Sequence, residues 1–211
     1  MSNILEQMKE DLYNGKADEV AAATQKALDE GLSAQEILND GLIAGMDVVG
    51  RDFKAGVLFI PEVLLCARAM HAGLGVLRPL LAEAGAPSLG KMVIGTVAGD
   101  LHDIGKNLVS MMLQGAGFEI VDLGTDVSAE RFVEAVRAEG AELVGMSALL
   151  TTTMPAMKTT IEALVEAGLR ERVKVLIGGA PVTARFAKEI GADAYAPDAA
   201  TAVDTARSLI A

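Results

Sequence analysis

Tryptophan is absent from the 211 residues, aromatic side chains make up 3%, and cysteine occurs once, as Cys66. A single cysteine cannot form an internal disulfide framework or a thiolate cluster, so the expected setting is the reducing cytoplasm. Clustered lysine and arginine are also missing, and the formal charge is −11. The basic stripe that grips a phosphate backbone is therefore lacking, which excludes a nucleic-acid partner and, on the same ground, an anionic membrane surface. The first ten residues carry acids and no long apolar run, unlike a signal or transit peptide, and no stretch is expected to reach the length of a membrane span. What is present is aliphatic: hydrophobic residues are 51% of the chain, enough for a core of Ala, Val, Leu, Ile and Met.

The N-terminal residues show helical period only. Ile4, Leu5, Met8 and Leu12 share one face, and Val20, Thr24, Ala27 and Leu28 continue after the Asn14-Gly15 break. Ser33 followed by Glu36 forms a capping box that opens a third helix lined by Ile37, Leu38, Leu42, Met46 and Val49. Pro61 suits the first turn of a fourth, running to Ala84 and apolar nearly all round, which must be covered on more than one side. These helices predict a four-helix bundle over residues 1–86, and residues 85–90, Gly-Ala-Pro-Ser-Leu-Gly, read as a linker.

From Lys91 short apolar runs alternate with helical patterns. Residues 91–97, 118–123, 142–147, 174–177 and 194–196 read as strands, with helices starting near Ile104, Ser128, Thr153, Pro181 and Asp198. Strands apolar throughout and separated by helices predict a doubly wound parallel sheet, Rossmann-like or flavodoxin-like, over residues 90–211. Ligands of such α/β domains collect at the carboxyl ends of the strands.

Three sequence features fall at those ends. The loop after the first strand reads Gly99-Asp100-Leu101-His102-Asp103-Ile104-Gly105 and holds one of only 2 histidines. By itself it is open to readings as a plain turn, an anion-binding helix N-terminus or a phospho-acceptor aspartate. Asp100, two residues before His102, can reach one ring nitrogen and leave the other for a ligand, the arrangement that metal-bound imidazoles need, while Gly105 lets a bulky group approach the backbone. After the third strand come Ser147, Ala148, Leu149 and then Thr151, Thr152 and Thr153, a run that also suits a helix start with Pro155 in its first turn. After the fourth strand stands Gly178-Gly179, which also fits a tight turn.

Taken together these elements resemble the cobalamin-binding domains that hold the corrinoid with its dimethylbenzimidazole tail displaced: Asp-x-His-x-x-Gly, about 41 residues, Ser-x-Leu, about 28 residues, Gly-Gly. Here the intervals are residues 106–146, which is 41, and 150–177, which is 28. With the helical half included, nearly the whole chain is similar to the corrinoid proteins of methanol, methylamine, glycine betaine and aryl methyl ether methyltransferase systems, and to the cobalamin module of methionine synthase. Residues 58–63, Leu-Phe-Ile-Pro-Glu-Val, match the stretch that opens the helix over the upper corrin face in that family.

The resemblance implies that cobalamin is the cofactor, that His102 ligates cobalt from below, that Asp100 bonds its distal nitrogen, and that Thr153 extends the relay where methionine synthase has serine. Asp103, Ile104, Gly105, Ser147, Leu149, Thr151, Gly178 and Gly179 would line the corrinoid and its tail, and Phe59, Val63 and Met70 would touch the upper face. Implied partners are a donor-specific methyltransferase, an acceptor methyltransferase and a reductive activase. His71 reads as a bundle or surface residue and Cys66 as a buried apolar one.

Rival readings lose on particular features. A mutase subunit needs a barrel, a transcription regulator needs a basic recognition helix, and a receiver domain needs paired acids after the first strand. The remaining alternative is a cobalamin-dependent sensor.

Overall fold

The computed structural model describes residues 3–83 and 88–211. The chain divides into two compact units, Met1–Pro87 with Gly115–Gly117, and Ser88–Gln114 with Phe118–Ala211.

The first unit is helical: α1 (Asn3–Tyr13), α2 (Ala17–Asp29), α3 (Ala34–Glu36), a π-helical segment (Ile37–Ile43), α4 (Ala44–Lys54) and α5 (Ile60–Glu83). Asn14-Gly15 ends α1 as expected, with Gly15 at φ +69°. The Ser33 hydroxyl caps the third rod by accepting from the Glu36 N–H at 3.2 Å. That rod is one run of helix whose middle is wound as π, a departure from the plain α-helix expected. Seven residues of apolar spacing do not separate a 3.6-residue turn from a wider one. α2 packs along α5, and α1 against α2 and α4. The linker expected over residues 85–90 lies largely outside the described residues, as does Ala84.

One expectation is corrected. Within α5, Ile60–Leu81 is 22 residues long and apolar enough to cross a membrane by length and composition alone. A buried core helix passes the same test, and Val63, Cys66, Ala67, Ala69, Met70 and Leu77 of this helix are buried in the protein.

The second unit contains β1 (Lys91–Thr96), α6 (Ile104–Gly115), β2 (Glu119–Asp122), α7 (Ala129–Glu139), β3 (Leu143–Ser147), α8 (Pro155–Glu166), β4 (Lys174–Gly178), α9 (Ala184–Ile190), β5 (Ala194–Ala196) and α10 (Ala199–Ile210). All strand pairs are parallel and their order is β2-β1-β3-β4-β5, the flavodoxin-like winding. Alternation along β1 sends Val93 into a cluster with Phe132, Val144, Met157, Val175 and Ile177, while its neighbours Met92 and Ile94, also buried, point to the opposite face. A sheet buried on both sides explains why its strands read as continuous apolar runs.

The register matters most for the site. Thr96 pairs with Ser147, Ser147 with Gly178, and Gly178 with Ala196. Motif elements scattered along the sequence thus reach the edge of the sheet in one row. The row includes β1 and β3, between which the winding reverses direction, the switch point where ligands of such folds bind.

Candidate functional site

Asp100 lies in the loop that leaves β1 at this switch point. Its side chain is 0% exposed, and both oxygens accept hydrogen bonds. Oδ1 accepts from the His102 ring at Nδ1 (2.7 Å) and from the His102 N–H (3.1 Å). Oδ2 accepts from the Thr153 hydroxyl at 2.7 Å and from the backbone N–H groups of Leu149 and Leu150 at 2.8 and 3.3 Å. Burial works to raise the Asp100 carboxyl, but the donors of Thr153, Leu149 and His102 overcome it, and the group ionises well below the usual carboxylate range.

An ionised carboxylate only accepts, so the proton of a neutral His102 ring rests on Nδ1 and the lone pair on Nε2. Nε2 has no hydrogen-bond partner among the described residues, and the His102 side chain is 51% exposed. The buried aspartate therefore fixes the tautomer and orientation of an outward-facing imidazole.

Around it lies exposed apolar surface. Leu101 and Ile104, which flank His102 in the chain, are 73% and 75% exposed, and Leu149 and Leu150 are also exposed. Apolar side chains gathered around one oriented polar group form a recognition surface for a large, mostly apolar ligand.

The remaining expected residues fall into place unevenly. Ser147 is half-buried, with its carbonyl accepting from the Val97 N–H at 3.0 Å. Asp103 stands just before α6, its carbonyl accepting from the Asn107 N–H at 2.8 Å and its carboxylate from the Asn107 side-chain amide at 3.1 Å. Gly105 faces open space, since a Cβ there would meet nothing within 4 Å. Gly179 is the reverse: at φ +129°, a Cβ would fall 1.9 Å from the Ala148 carbonyl oxygen, so no other residue fits this approach of two strand-end loops. At Gly178 the tightest contact would be 3.1 Å, to the Ala196 carbonyl oxygen.

Thr151 is exposed. Thr153 does not cap α8, which has no side-chain cap; its hydroxyl turns to Asp100 instead. In the helical unit Val63 and Met70 are buried, whereas Phe59 is exposed together with Val57, Ile60 and Leu65.

Sequence reasoning passed over Thr96, Asp126, Leu101 and Leu150. Thr96 is buried, and its hydroxyl donates to the His102 carbonyl at 2.9 Å. Asp126 accepts from the Gly99 N–H at 2.7 Å. A threonine ending an otherwise apolar strand was the available signal for the first.

Comparison with known proteins shows the family. The model of a B12 binding domain matches residues 90–204, and a second one, also described as a B12 binding domain, matches residues 4–78. The chain belongs to the B12-binding family of corrinoid proteins. It is 49% identical over 209 residues to dimethylamine corrinoid protein 1 of Methanosarcina acetivorans, covering 99% of this chain and 98% of that one. A cobalamin-binding protein from Desulfitobacterium hafniense superposes with a TM-score of 0.81 at 32% identity, covering 98% of each chain. A chain of the methanol:cobalamin methyltransferase complex from Methanosarcina barkeri superposes with a TM-score of 0.89 at 33% identity, over 99% of this chain and 80% of that one. Cobalamin is thus the cofactor of this corrinoid protein, and the exposed imidazole amid apolar side chains is a surface that fits it.

Proposed function

We propose that this corrinoid protein holds cobalamin with Nε2 of His102 as the lower axial ligand to cobalt and carries methyl groups from a donor-specific methyltransferase to an acceptor methyltransferase acting on a carrier such as tetrahydrofolate or a thiol. The observation that carries the reading is the division of labour at His102: a buried, ionised Asp100 holds Nδ1, and Nε2 is left outward among exposed apolar side chains. Among the described residues no three His, Cys, Asp or Glu side chains gather around a possible ion. A metal at His102 would therefore need further ligands from outside the protein, as a corrin ring provides.

The bound corrinoid supplies the cobalt that takes up and releases the methyl group. The chain's own residues manage the axial base. Nε2 would hold the cobalt or, when released, accept a proton; Asp100 would then stabilise the imidazolium, and the Thr153 hydroxyl would help keep that carboxylate charged. Gly105 leaves backbone approachable at the start of α6, Gly179 lets the loops after β3 and β4 close on each other, and Ser147, Leu149, Thr151, Gly178, Asp103 and Ile104 complete the lining for the cofactor and its displaced tail.

Phe59, exposed just before α5, and Val63 and Met70, buried on that helix, are the residues of the helical unit proposed to shield the upper face of the corrinoid. The relative that forms part of a methanol:cobalamin methyltransferase complex supports a methyltransferase as docking partner, and a reductive activase would restore corrinoid lost to oxidation. The sole cysteine, buried, suits the cytoplasm.

The test is reconstitution with hydroxocobalamin, reduction to cobalt(II) and electron paramagnetic resonance. Splitting by an axial nitrogen is expected in the wild type and absent in His102→Ala; identical spectra would overturn the assignment.

A further inference from the structure

Asp126 is not part of the Asp-x-His motif, yet it is the one non-glycine residue with positive φ among the described residues, at +53°. Aspartate tolerates this left-handed conformation better than most side chains, but the fold must hold it there. The cause is visible in what the residue reaches. Its carboxylate accepts from the Gly99 N–H at 2.7 Å, and its own N–H donates to the Asp100 carbonyl at 3.0 Å. One residue thus grips the chain on both sides of the Gly99–Asp100 peptide.

The neighbouring backbone acts in the same direction. The Thr96 N–H donates to the Gly124 carbonyl at 3.0 Å, and the Val127 N–H to the Thr96 carbonyl at 2.9 Å. Residues 124–127 are therefore laid against the segment that leads from β1 into the histidine loop. Gly99, at φ +80°, is the left-handed point of that segment, and the Asp126 carboxylate accepts from its N–H.

We propose that Asp126 is a positioning residue for cobalt ligation: by clamping the Gly99–Asp100 peptide it sets where the Asp100 carboxylate stands and hence how the His102 ring is presented. The inference rests on the proposed ligation by His102. The Asp126 side chain bonds to the Gly99 N–H and not to the His102 ring or the Asp100 carboxylate, so its effect is transmitted through the main chain.

The test compares Asp126→Gly with Asp126→Asn in the full chain loaded with hydroxocobalamin and reduced to cobalt(II). Glycine keeps the left-handed backbone and the N–H but removes the acceptor; asparagine keeps a side-chain oxygen at the same reach. The expected result is a smaller fraction of nitrogen-split signal in the glycine variant, with corrinoid affinity weakened about tenfold, and recovery of both in the asparagine variant. His102→Ala is run beside them. If that variant keeps the splitting, the ligation reading fails. If it loses the splitting while Asp126→Gly matches the wild type, ligation stands and the role of Asp126 is refuted. Circular dichroism monitors folding, and Asp126→Ser, too short to reach Gly99, replaces the glycine variant if that one unfolds. Failure of both to fold would make Asp126 a determinant of the fold and also refute the proposal.

Discussion

Thr153 and Asp100 stand 53 residues apart in the sequence and meet through a 2.7 Å hydrogen bond in the interior of the second unit. The bond joins the loop after β1 to the loop after β3 beside the proposed cofactor surface. Replacing Thr153 by valine leaves the shape and removes the donor to a buried carboxylate, which should lower stability by about 1–3 kcal/mol. Thr153→Ser keeps the hydroxyl and loses one methyl, for a loss of about 1 kcal/mol or less. Urea unfolding of the two variants checks the order.

Two glycines of the motif should behave in opposite ways. Gly179→Ala places a Cβ 1.9 Å from the Ala148 carbonyl oxygen, so the backbone must move; a stability loss of at least about 3 kcal/mol is expected, and corrinoid binding should fall with it. Gly105→Ala meets open space in the first turn of α6. That apoprotein should be as stable as the wild type or more so, by up to about 1 kcal/mol. A drop in corrinoid affinity in this variant, with its melting temperature intact, would mark Gly105 as a place where the ligand touches the backbone; unchanged affinity would remove it from the site.

Much of this was legible in the sequence because periodicity and burial are local consequences of composition. The five strands and the helices between them follow from apolar runs and turn residues, and the Asp100–His102 contact follows from a spacing of two in a loop. The π-wound turn of Ile37–Ile43 was not legible, since apolar spacing is nearly the same for both windings over so short a run. Asp126 was missed for another reason: its partners, Gly99 and Asp100, come close only through the parallel pairing of β1 with β2, which no local pattern states. The Thr153 hydroxyl suited both a helix cap and the Asp100 relay, and tertiary contact decided between them.

Lys106 follows Gly105 in α6 and is 2% exposed, with its ammonium bonded to the Asp122 carboxylate and, at 2.6 Å, to the Asn107 side-chain oxygen. Asn107 in turn donates to Asp103 beside the histidine. Lys106→Met would leave apolar packing in place and strip Asp122 of its partner. Asp122 is 38% exposed, so water offsets part of the loss and a cost of about 1–2 kcal/mol is expected rather than that of a fully buried broken pair. Thermal unfolding measures it, and a cost near zero would show that the pair does not hold α6 to the end of β2.

Cys66 is buried on α5, and its thiol donates to the Tyr13 carbonyl at 3.1 Å. Burial pushes this thiol up to about 11, against about 8.5 in an unfolded chain. At pH 8 the folded protein should therefore react with iodoacetamide at least about a hundredfold more slowly than the urea-unfolded chain, because only the thiolate attacks. The same shift fixes the sign of a stability effect. The unfolded chain releases the proton first, so the contribution of the neutral thiol is complete below about pH 8.5 and declines as the pH rises from there towards 11. Cys66→Ser should show the wild-type slope of stability against pH below 8 and a shallower decline above it; alkylation kinetics followed by mass spectrometry test the first half, and denaturation at pH 8 and pH 10 the second. Fast labelling of the native protein at pH 8 would mean that α5 opens far more often than its burial implies.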